Sequence, residues 1–287
     1  MDIISTISLK IYGGPVDMNY KTPQEIAKSA VAAAISKTGL PLLPMALLGF
    51  LAGAYIAMGG YFMIVVTQDA AAFAGVGISK FLGGVAFSLG LFLVVAAGGE
   101  LFTGNCLMPI GLLSRKITCG GMLRNLAVVY LANFAGALFF ALLIFKSGIL
   151  TKSCADYALS IAAAKVQIPL FQMIVRGVLC NWFVGLAVWL TFGALDMSGK
   201  FIALLMPIAA FVAMGFEHCV ANMFFLPLGM MIKSGLTAEG IPSAAQELTA
   251  SAVAGNLLPV TFGNIIGAAF FLGAIYFVIY RRELTKD

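Results

Sequence analysis

Two long apolar segments of this chain are each interrupted by a Glu that is followed five residues later by an Asn. Residues 99–105 are GELFTGN, and residues 215–222 are GFEHCVAN. A Pro-hydrophobic-Gly triplet follows each motif, at 109–111 and 227–229. Ionisable side chains are costly inside a bilayer and are seldom kept there without a role. Interrupted apolar segments at matching positions of two halves are typical of a transport site between two repeats.

The composition indicates a membrane protein, because 61% of the 287 residues are hydrophobic and 10% are charged. A spanning helix needs about 20 apolar residues. The hydropathy pattern predicts six spanning regions, of which the second and fifth are broken by the Glu…Asn motifs, and an outer loop at 146–168. The six regions are about 41–66, 79–112, 122–145, 169–193, 200–232 and 253–280.

The chain is predicted to have three parts. Residues 1–38 form a cytoplasmic tail and an interfacial helix, which begins at a capping box of Thr22 and Glu25 with Pro23 in the first turn. Residues 39–282 form a single transmembrane channel domain, and 283–287 form a cytoplasmic tail. The N-terminus lacks the basic–apolar–small pattern of a cleaved signal peptide, so none is expected.

Lys and Arg are concentrated in the loops that share a side with the two termini, which predicts that both termini are cytoplasmic. The expected location is the cell (inner) membrane. The formal net charge of +5 then needs no nucleic-acid partner, because the charges lie in loops and tails beside a lipid bilayer.

The similarity of the two halves extends beyond the interrupted segments. Residues 133–140 are NFAGALFF in the third span, and residues 264–271 are NIIGAAFF in the sixth. Three spans per half is an odd number, so the second half must enter the membrane with the opposite orientation. The predicted fold is an all-α integral membrane protein with six transmembrane helices in an inverted 3+3 repeat.

The helix breaks suit a small anion, because the N-terminus of a helix offers free N–H donors and partial positive charge. Thr103 and Asn105 can add hydrogen bonds at the first break. His218 is the single histidine of the chain and lies at the second break. A histidine there can donate a proton or a hydrogen bond to a permeating anion, or it can be a satisfied core residue without a transport role.

Glu100 and Glu217 also have two interpretations, a proton relay or a structural role. We favour the structural role, shared with Asn105 and Asn222, in which each carboxylate accepts hydrogen bonds from backbone N–H groups of its broken helix. Fixed negative charge in the pore would oppose an anion.

Apolar side chains can gate a pore by excluding water. Phe87, Leu91, Phe102 and Phe211 lie close enough to the breaks to do so.

The five cysteines are scattered and only one histidine accompanies them, so neither a metal site nor a cofactor is expected.

Three motifs resemble those of the formate–nitrite transporter family: VAAGGELFTG at 95–104, GVLCNWFVGLA at 177–187 and GFEHCVANMF at 215–224. The resemblance covers essentially all of 22–282. Gly185 departs from the Cys that is usual in the family at its position.

The resemblance implies a homopentamer of aquaporin-like protomers, each with its own pore. Gln167 and Ile168 stand where some enteric formate channels include a His. The implied pore has an outer constriction of Phe87 and Phe211, an inner one of Leu91, Leu101 and Val184, His218 and Thr103 between them, polar pore-side Asn181 and Asn264, and a vestibule lysine, Lys165.

These observations predict a channel or transporter for a small monovalent anion rather than an enzyme. Formate is the first choice, nitrite the second and hydrosulfide the third. In the predicted mechanism Lys165 draws in the anion, and His218 or water supplies a proton where a bare charge is costly. The alternatives are a neutral-solute channel, although paired Asn-Pro-Ala motifs are absent, and an intramembrane enzyme, although no second His or Ser–base pairing is visible.

Overall fold

A computed structural model describes residues 20–285, which fold almost entirely into helices. A π-helical turn, Ala269–Ala274, joins the last two α-helices. The α-helices are α1 (Pro23–Gly39), α2 (Leu42–Thr67), α3 (Ala70–Ala96), α4 (Phe102–Asn105), α5 (Pro109–Leu113), α6 (Cys119–Lys146), α7 (Lys152–Val166), α8 (Leu170–Gly193), α9 (Met197–Ala213), α10 (Cys219–Ser234), α11 (Ala250–Ala268) and α12 (Ile275–Leu284). The predicted tail before Tyr20 lies outside the described residues.

Five helical stretches within 20–285 are long and apolar enough to cross a membrane: α2, α3, α6, α8 and the run from α11 to α12. The remaining apolar helices are shorter, namely α9, α10 and the stretch of α4 and α5. These shorter helices occupy the two regions that the Glu…Asn motifs interrupt. The fold is therefore an all-helical bundle with the hydropathy of a membrane protein.

Each Glu…Asn motif lies where one helix ends and another begins. α3 ends at Ala96 and α4 begins at Phe102, while α9 ends at Ala213 and α10 begins at Cys219. Gly98 (φ 87°) and Gly215 (φ 75°) each lie two residues before the Glu of their motif. A positive φ is strained for residues with a Cβ, so glycine is needed at both turns.

The prediction of an outer loop at 146–168 was wrong, because residues Lys152–Val166 form helix α7. The hydroxyl of Thr151 caps this helix by accepting a hydrogen bond from the backbone N–H of Cys154. The segment is rich in alanine, the strongest helix former. The polar residues on one side of this helix obscured its helical character in the hydropathy pattern.

Helix α1 begins at the predicted capping box. The Thr22 hydroxyl accepts from the Glu25 N–H, and the Glu25 carboxylate accepts from the Thr22 N–H and hydroxyl. These bonds to Thr22 hold the pKa of the Glu25 carboxyl below its ordinary value. Ile26 and Ala30 of α1 are buried in a cluster with Trp189, so α1 packs against the end of the bundle.

Small residues allow the long helices to approach closely. A Cβ added at Gly136 of α6 would overlap the carbonyl oxygen of Phe50 on α2. A Cβ added at Gly267 of α11 would likewise overlap the carbonyl oxygen of Val178 on α8. Lipid tails are as apolar as the helices, so the hydrophobic effect does not drive helices together in a membrane. Close packing of backbones at small residues is instead a main source of helix association there.

We expect Gly136→Ala to destabilise the protein by about 1–3 kcal/mol, because the added methyl group forces α2 and α6 apart. The matched control is Gly255→Ala in α11, where a Cβ meets no atom within 4 Å. That variant should be neutral or slightly stabilising, as alanine favours helix over glycine. Thermal unfolding in detergent measures both, and equal midpoints for the two variants would refute the close approach.

Candidate functional site

Two cavities enter the bundle at opposite ends of α3 and α9. The Lys165 cavity, of about 180 Å³, is lined by Lys165, Phe87 of α3 and Phe211 of α9 among others. The Lys37 cavity, of about 440 Å³, is lined by Lys37 and Leu91 of α3 among others. Phe87 and Leu91 are one helical turn apart, which is about 6 Å along the axis. The barrier between the two cavities is therefore thin.

Apolar side chains form this barrier. The rings of Phe87 and Phe211 meet edge to face with centroids 5.9 Å apart. Leu91 and Leu101 are buried at the wall of the Lys37 cavity. Val184 is also buried in the same core. Phe87, Phe211, Leu91 and Leu101 thus line the two cavities where these approach each other. The role of these residues and of Val184 in gating stays a prediction.

Thr103 and His218 form a hydrogen-bonded pair at the barrier, with 2.9 Å between Thr103 Oγ1 and His218 Nε2. Both side chains are buried. The backbone N–H of Ala221 donates to His218 Nδ1 at 3.0 Å, so the imidazole ring caps α10. Because Nδ1 accepts a hydrogen bond, the proton of the neutral ring lies on Nε2, which donates to Thr103. Thr103 keeps its own hydroxyl proton for another acceptor.

Asn133 of α6 holds the first helix break together. Its Oδ1 accepts from the N–H of Phe102 at 2.9 Å. Its Nδ2 donates to the carbonyl oxygens of Gly49 at 2.7 Å and Glu100 at 2.9 Å. One buried amide therefore satisfies three backbone groups that the break and its neighbouring helix expose.

Asn264 of α11 makes the same contacts at the second break. Its Oδ1 accepts from the N–H of Cys219 at 2.9 Å, and its Nδ2 donates to the carbonyl oxygens of Gly177 and Glu217 at 2.8 and 2.9 Å. The amide of Asn264 is thus fully used by the backbone. Asn264 is fully buried, and the pore-side role that the sequence suggested for it stays a prediction.

Asn181 of α8 lies between the two breaks. Its Nδ2 donates to the carbonyl oxygens of Thr103 at 3.1 Å and Asn264 at 2.7 Å. Its Oδ1 is buried and has no hydrogen-bond partner among the described residues. This amide therefore positions the backbone of Thr103 and keeps one free acceptor.

The expected hydrogen bonds from backbone N–H groups to Glu100 are not the bonds that the structure shows. The Glu100 carboxylate accepts from side chains instead: from Lys37 Nζ at 2.6 Å, from Asn105 Nδ2 at 2.7 Å and from Asn125 Nδ2 at 3.4 Å. Asn125 also donates to the carbonyl oxygen of Lys37 at 3.0 Å. The buried charge is paired within a network that joins α1, α4 and α6.

Glu217 departs from the expectation in the same way. Its carboxylate accepts from Lys165 Nζ at 2.9 Å and Asn222 Nδ2 at 2.7 Å. Asn222 also donates to Asn256 Oδ1 at 2.8 Å, and Asn256 donates to the carbonyl oxygen of Lys165 at 2.9 Å. Lys165 is thus an ion-paired residue at the end of α7, within the segment that was predicted as an outer loop.

Three members of these networks were missed from the sequence: Lys37, Asn125 and Asn256. A spacing signal for them was present. Asn125 precedes Asn133 by eight residues, as Asn256 precedes Asn264. Lys37 also precedes Gly49 by twelve residues, as Lys165 precedes Gly177. Reading the repeat beyond the two breaks would have revealed all three.

The comparisons with known proteins agree with this architecture. A family model described as "Formate/nitrite transporter" matches residues 24–278. The chain is 41% identical over 284 residues to the "Probable formate transporter" of Methanothermobacter thermautotrophicus, covering 92% of this chain and 99% of the relative. It is 35% identical over 271 residues to the "Formate channel FocA" of Escherichia coli (strain K12), covering 91% and 95%.

A solved structure described as "Pentameric formate channel with formate bound" superposes with a TM-score of 0.75. It is 34% identical in sequence, and the match covers 84% of this chain and 98% of that one.

A bundle of apolar helices with a cavity on each side of a thin barrier suits a membrane transport protein, and the matching family and relatives are channels and transporters rather than enzymes. The family model accounts for nearly the whole chain. The chain belongs to the formate/nitrite transporter family.

We expect Lys37→Met to destabilise the protein, because it leaves the Glu100 carboxylate buried without its cation. The effect should be about 1–3 kcal/mol, since the Lys37 side chain is 24% exposed and water screens part of the charge. The double variant Lys37→Met/Glu100→Gln should recover most of this loss, and Lys28→Met on the exposed side of α1 is the control. Thermal unfolding in detergent measures all three. A double variant no more stable than Lys37→Met would contradict the pairing.

Proposed function

We propose that the protein is a channel for a small monovalent anion, with formate as the first choice and nitrite or hydrosulfide as alternatives. The observation that carries this proposal is the Thr103–His218 pair, which lies at a thin apolar barrier between two cavities that each contain a lysine. Relatives described as formate channels or transporters support formate. The family's name makes nitrite the next candidate.

The protomer is proposed to be an aquaporin-like inverted repeat of six transmembrane helices, with the second and fifth broken at the Glu…Asn motifs. Two sets of contacts that match one to one support this. The matching residues are Lys37 and Lys165, Gly49 and Gly177, Glu100 and Glu217, Asn105 and Asn222, Asn125 and Asn256, and Asn133 and Asn264.

The assembly is proposed to be a homopentamer, in line with the solved formate channel that is described as pentameric. Bulky apolar side chains at Leu131 and Leu258 are exposed on the protomer and suit lipid or a neighbouring subunit. The division into an N-terminal segment 1–38, a channel domain 39–282 and a tail 283–287 stays part of this proposal. The location in the inner membrane and the cytoplasmic position of both termini are also proposals, and they rest on the distribution of Lys and Arg.

The first step of transport is attraction of the anion into the Lys165 cavity. Lys165 donates to Glu217, and an ammonium group has further donors that can face the cavity. At the phenylalanine pair the anion loses its water, which is unfavourable by several kcal/mol in an apolar passage. The Thr103 hydroxyl then offers a hydrogen bond in place of water.

Proton coupling requires His218 to change its hydrogen bonds. The ring takes up a second proton, from water in the Lys165 cavity that it lines, only when Nδ1 releases the N–H of Ala221. A nearby anion favours the imidazolium that results. The Nε2 proton then passes to Thr103 Oγ1 while the Thr103 hydroxyl proton passes to a formate oxygen, which leaves formic acid and a neutral His218 with its remaining proton on Nδ1. Transfer of that proton to Nε2 through water restores the resting ring. The neutral acid crosses the barrier without the penalty of a bare charge.

His218 variants test this mechanism. His218→Asn removes titration but keeps a side chain that caps α10 well, because Asn is a preferred N-cap residue. We expect it to pass formate with no coupled proton uptake. His218→Phe loses both cap and donor and should reduce formate flux at least tenfold. Radiolabelled formate uptake and internal pH, followed together in proteoliposomes at several pH values, measure both.

The control is the elution volume of each detergent-solubilised variant, which shows that the oligomer is intact. Coupled movement of formate and protons by His218→Asn, with the pH dependence of the wild type, would exclude His218 as the proton carrier. A wild-type protein that passes nitrite or hydrosulfide but not formate would reassign the substrate within the same class.

A further inference from the structure

Each cavity is lined by two lysines and one glutamate. Lys80, Lys165 and Glu217 line one cavity, and Lys37, Lys200 and Glu100 line the other. Within each cavity one lysine is ion-paired with the glutamate, at 2.9 Å for Lys165 and 2.6 Å for Lys37. Each cavity therefore keeps a net charge of +1 from its lining residues.

The remaining lysines, Lys80 and Lys200, make no ion pair with any residue in 20–285. Asp196, one turn before Lys200, is the acidic residue best placed to form an ion pair with it. Its carboxylate instead caps α9 by accepting from the Gly199 N–H at 2.7 Å. The positive charge of Lys200 is thus not cancelled by a contact at the start of α9.

Both lysines lie in line with the barrier. Lys80 precedes Phe87 on α3 by seven residues, and Lys200 precedes Phe211 on α9 by eleven. Seven and eleven residues are about two and three full helical turns, so each lysine shares a helix face with its phenylalanine. The distances along the axes are about 10 and 16 Å. A cation therefore stands on each approach, well before the constriction.

We propose that Lys80 and Lys200 are anion-recruiting residues, one for each direction of transport. This inference rests on the proposed function and adds the residues that set uptake from each side. The field of a paired lysine is largely cancelled beyond its partner, whereas the field of an unpaired lysine extends over a Debye length of about 8 Å at physiological salt. A cavity with apolar walls focuses that field and raises the local concentration of small anions such as formate.

Lys80→Gln and Lys200→Gln test the proposal in membrane vesicles of defined orientation. Right-side-out and inverted vesicles expose opposite cavities to the medium. At low formate and low ionic strength, each variant should slow formate uptake about two- to tenfold in one vesicle type and little in the other. The two variants should affect opposite vesicle types. The slower uptake of each variant relative to the wild type should disappear near 1 M salt, where the Debye length is about 3 Å.

Lys80→Arg and Lys200→Arg keep the charge and should restore uptake. The controls are Lys28→Gln on the exposed side of α1 and Lys152→Gln in the surface pair with Asp156, neither of which lines the Lys165 or the Lys37 cavity. Both should transport like the wild type.

Several results would overturn the inference. One is unchanged uptake at low salt in the Gln variants when the wild type transports formate or nitrite. Another is a loss that is equal from both sides, persists in high salt and is not restored by Arg, because that pattern indicates damage to the fold. A wild-type protein that passes none of formate, nitrite and hydrosulfide would refute the proposed function as well.

Discussion

Two buried asparagine amides hold together the parts of this protein on which everything else depends. Breaking a helix in a membrane exposes backbone N–H and C=O groups, each of which is unfavourable by several kcal/mol when left unpaired in an apolar environment. Asn133 and Asn264 each bond one N–H and two carbonyl groups at their break. With these bonds in place, the chain can turn inward at two points and bring polar groups to the centre of an apolar bundle.

A second set of contacts pairs each buried carboxylate with a cation. Each glutamate at a break is paired with a lysine from a distant helix and with the asparagine five residues later. A buried carboxylate that lost its cation would strongly destabilise the protein. The same pairing keeps fixed negative charge from dominating cavities through which an anion is proposed to move.

The chemistry is asymmetric although the supporting contacts repeat. Leu101 stands one residue after Glu100, whereas His218 stands one residue after Glu217. Thr103 of the first break then meets His218 of the second at 2.9 Å. One break thus contributes an apolar wall and a hydroxyl, and the other contributes a ring that caps its helix through Nδ1. Neither break alone contains the complete polar pair.

Local sequence was enough to predict the helical membrane class and the places where α3 and α9 end, because hydropathy and glycine turns act over a few residues. The role of His218 in transport stays a prediction. Local sequence did not reveal that Lys37 pairs with Glu100 or that Lys165 pairs with Glu217, since these partners are 63 and 52 residues apart. It also missed helix α7, which presents Lys165 to the cavity. Only the packing of distant helices decides which donor reaches a buried carboxylate, and therefore which lysines remain unpaired.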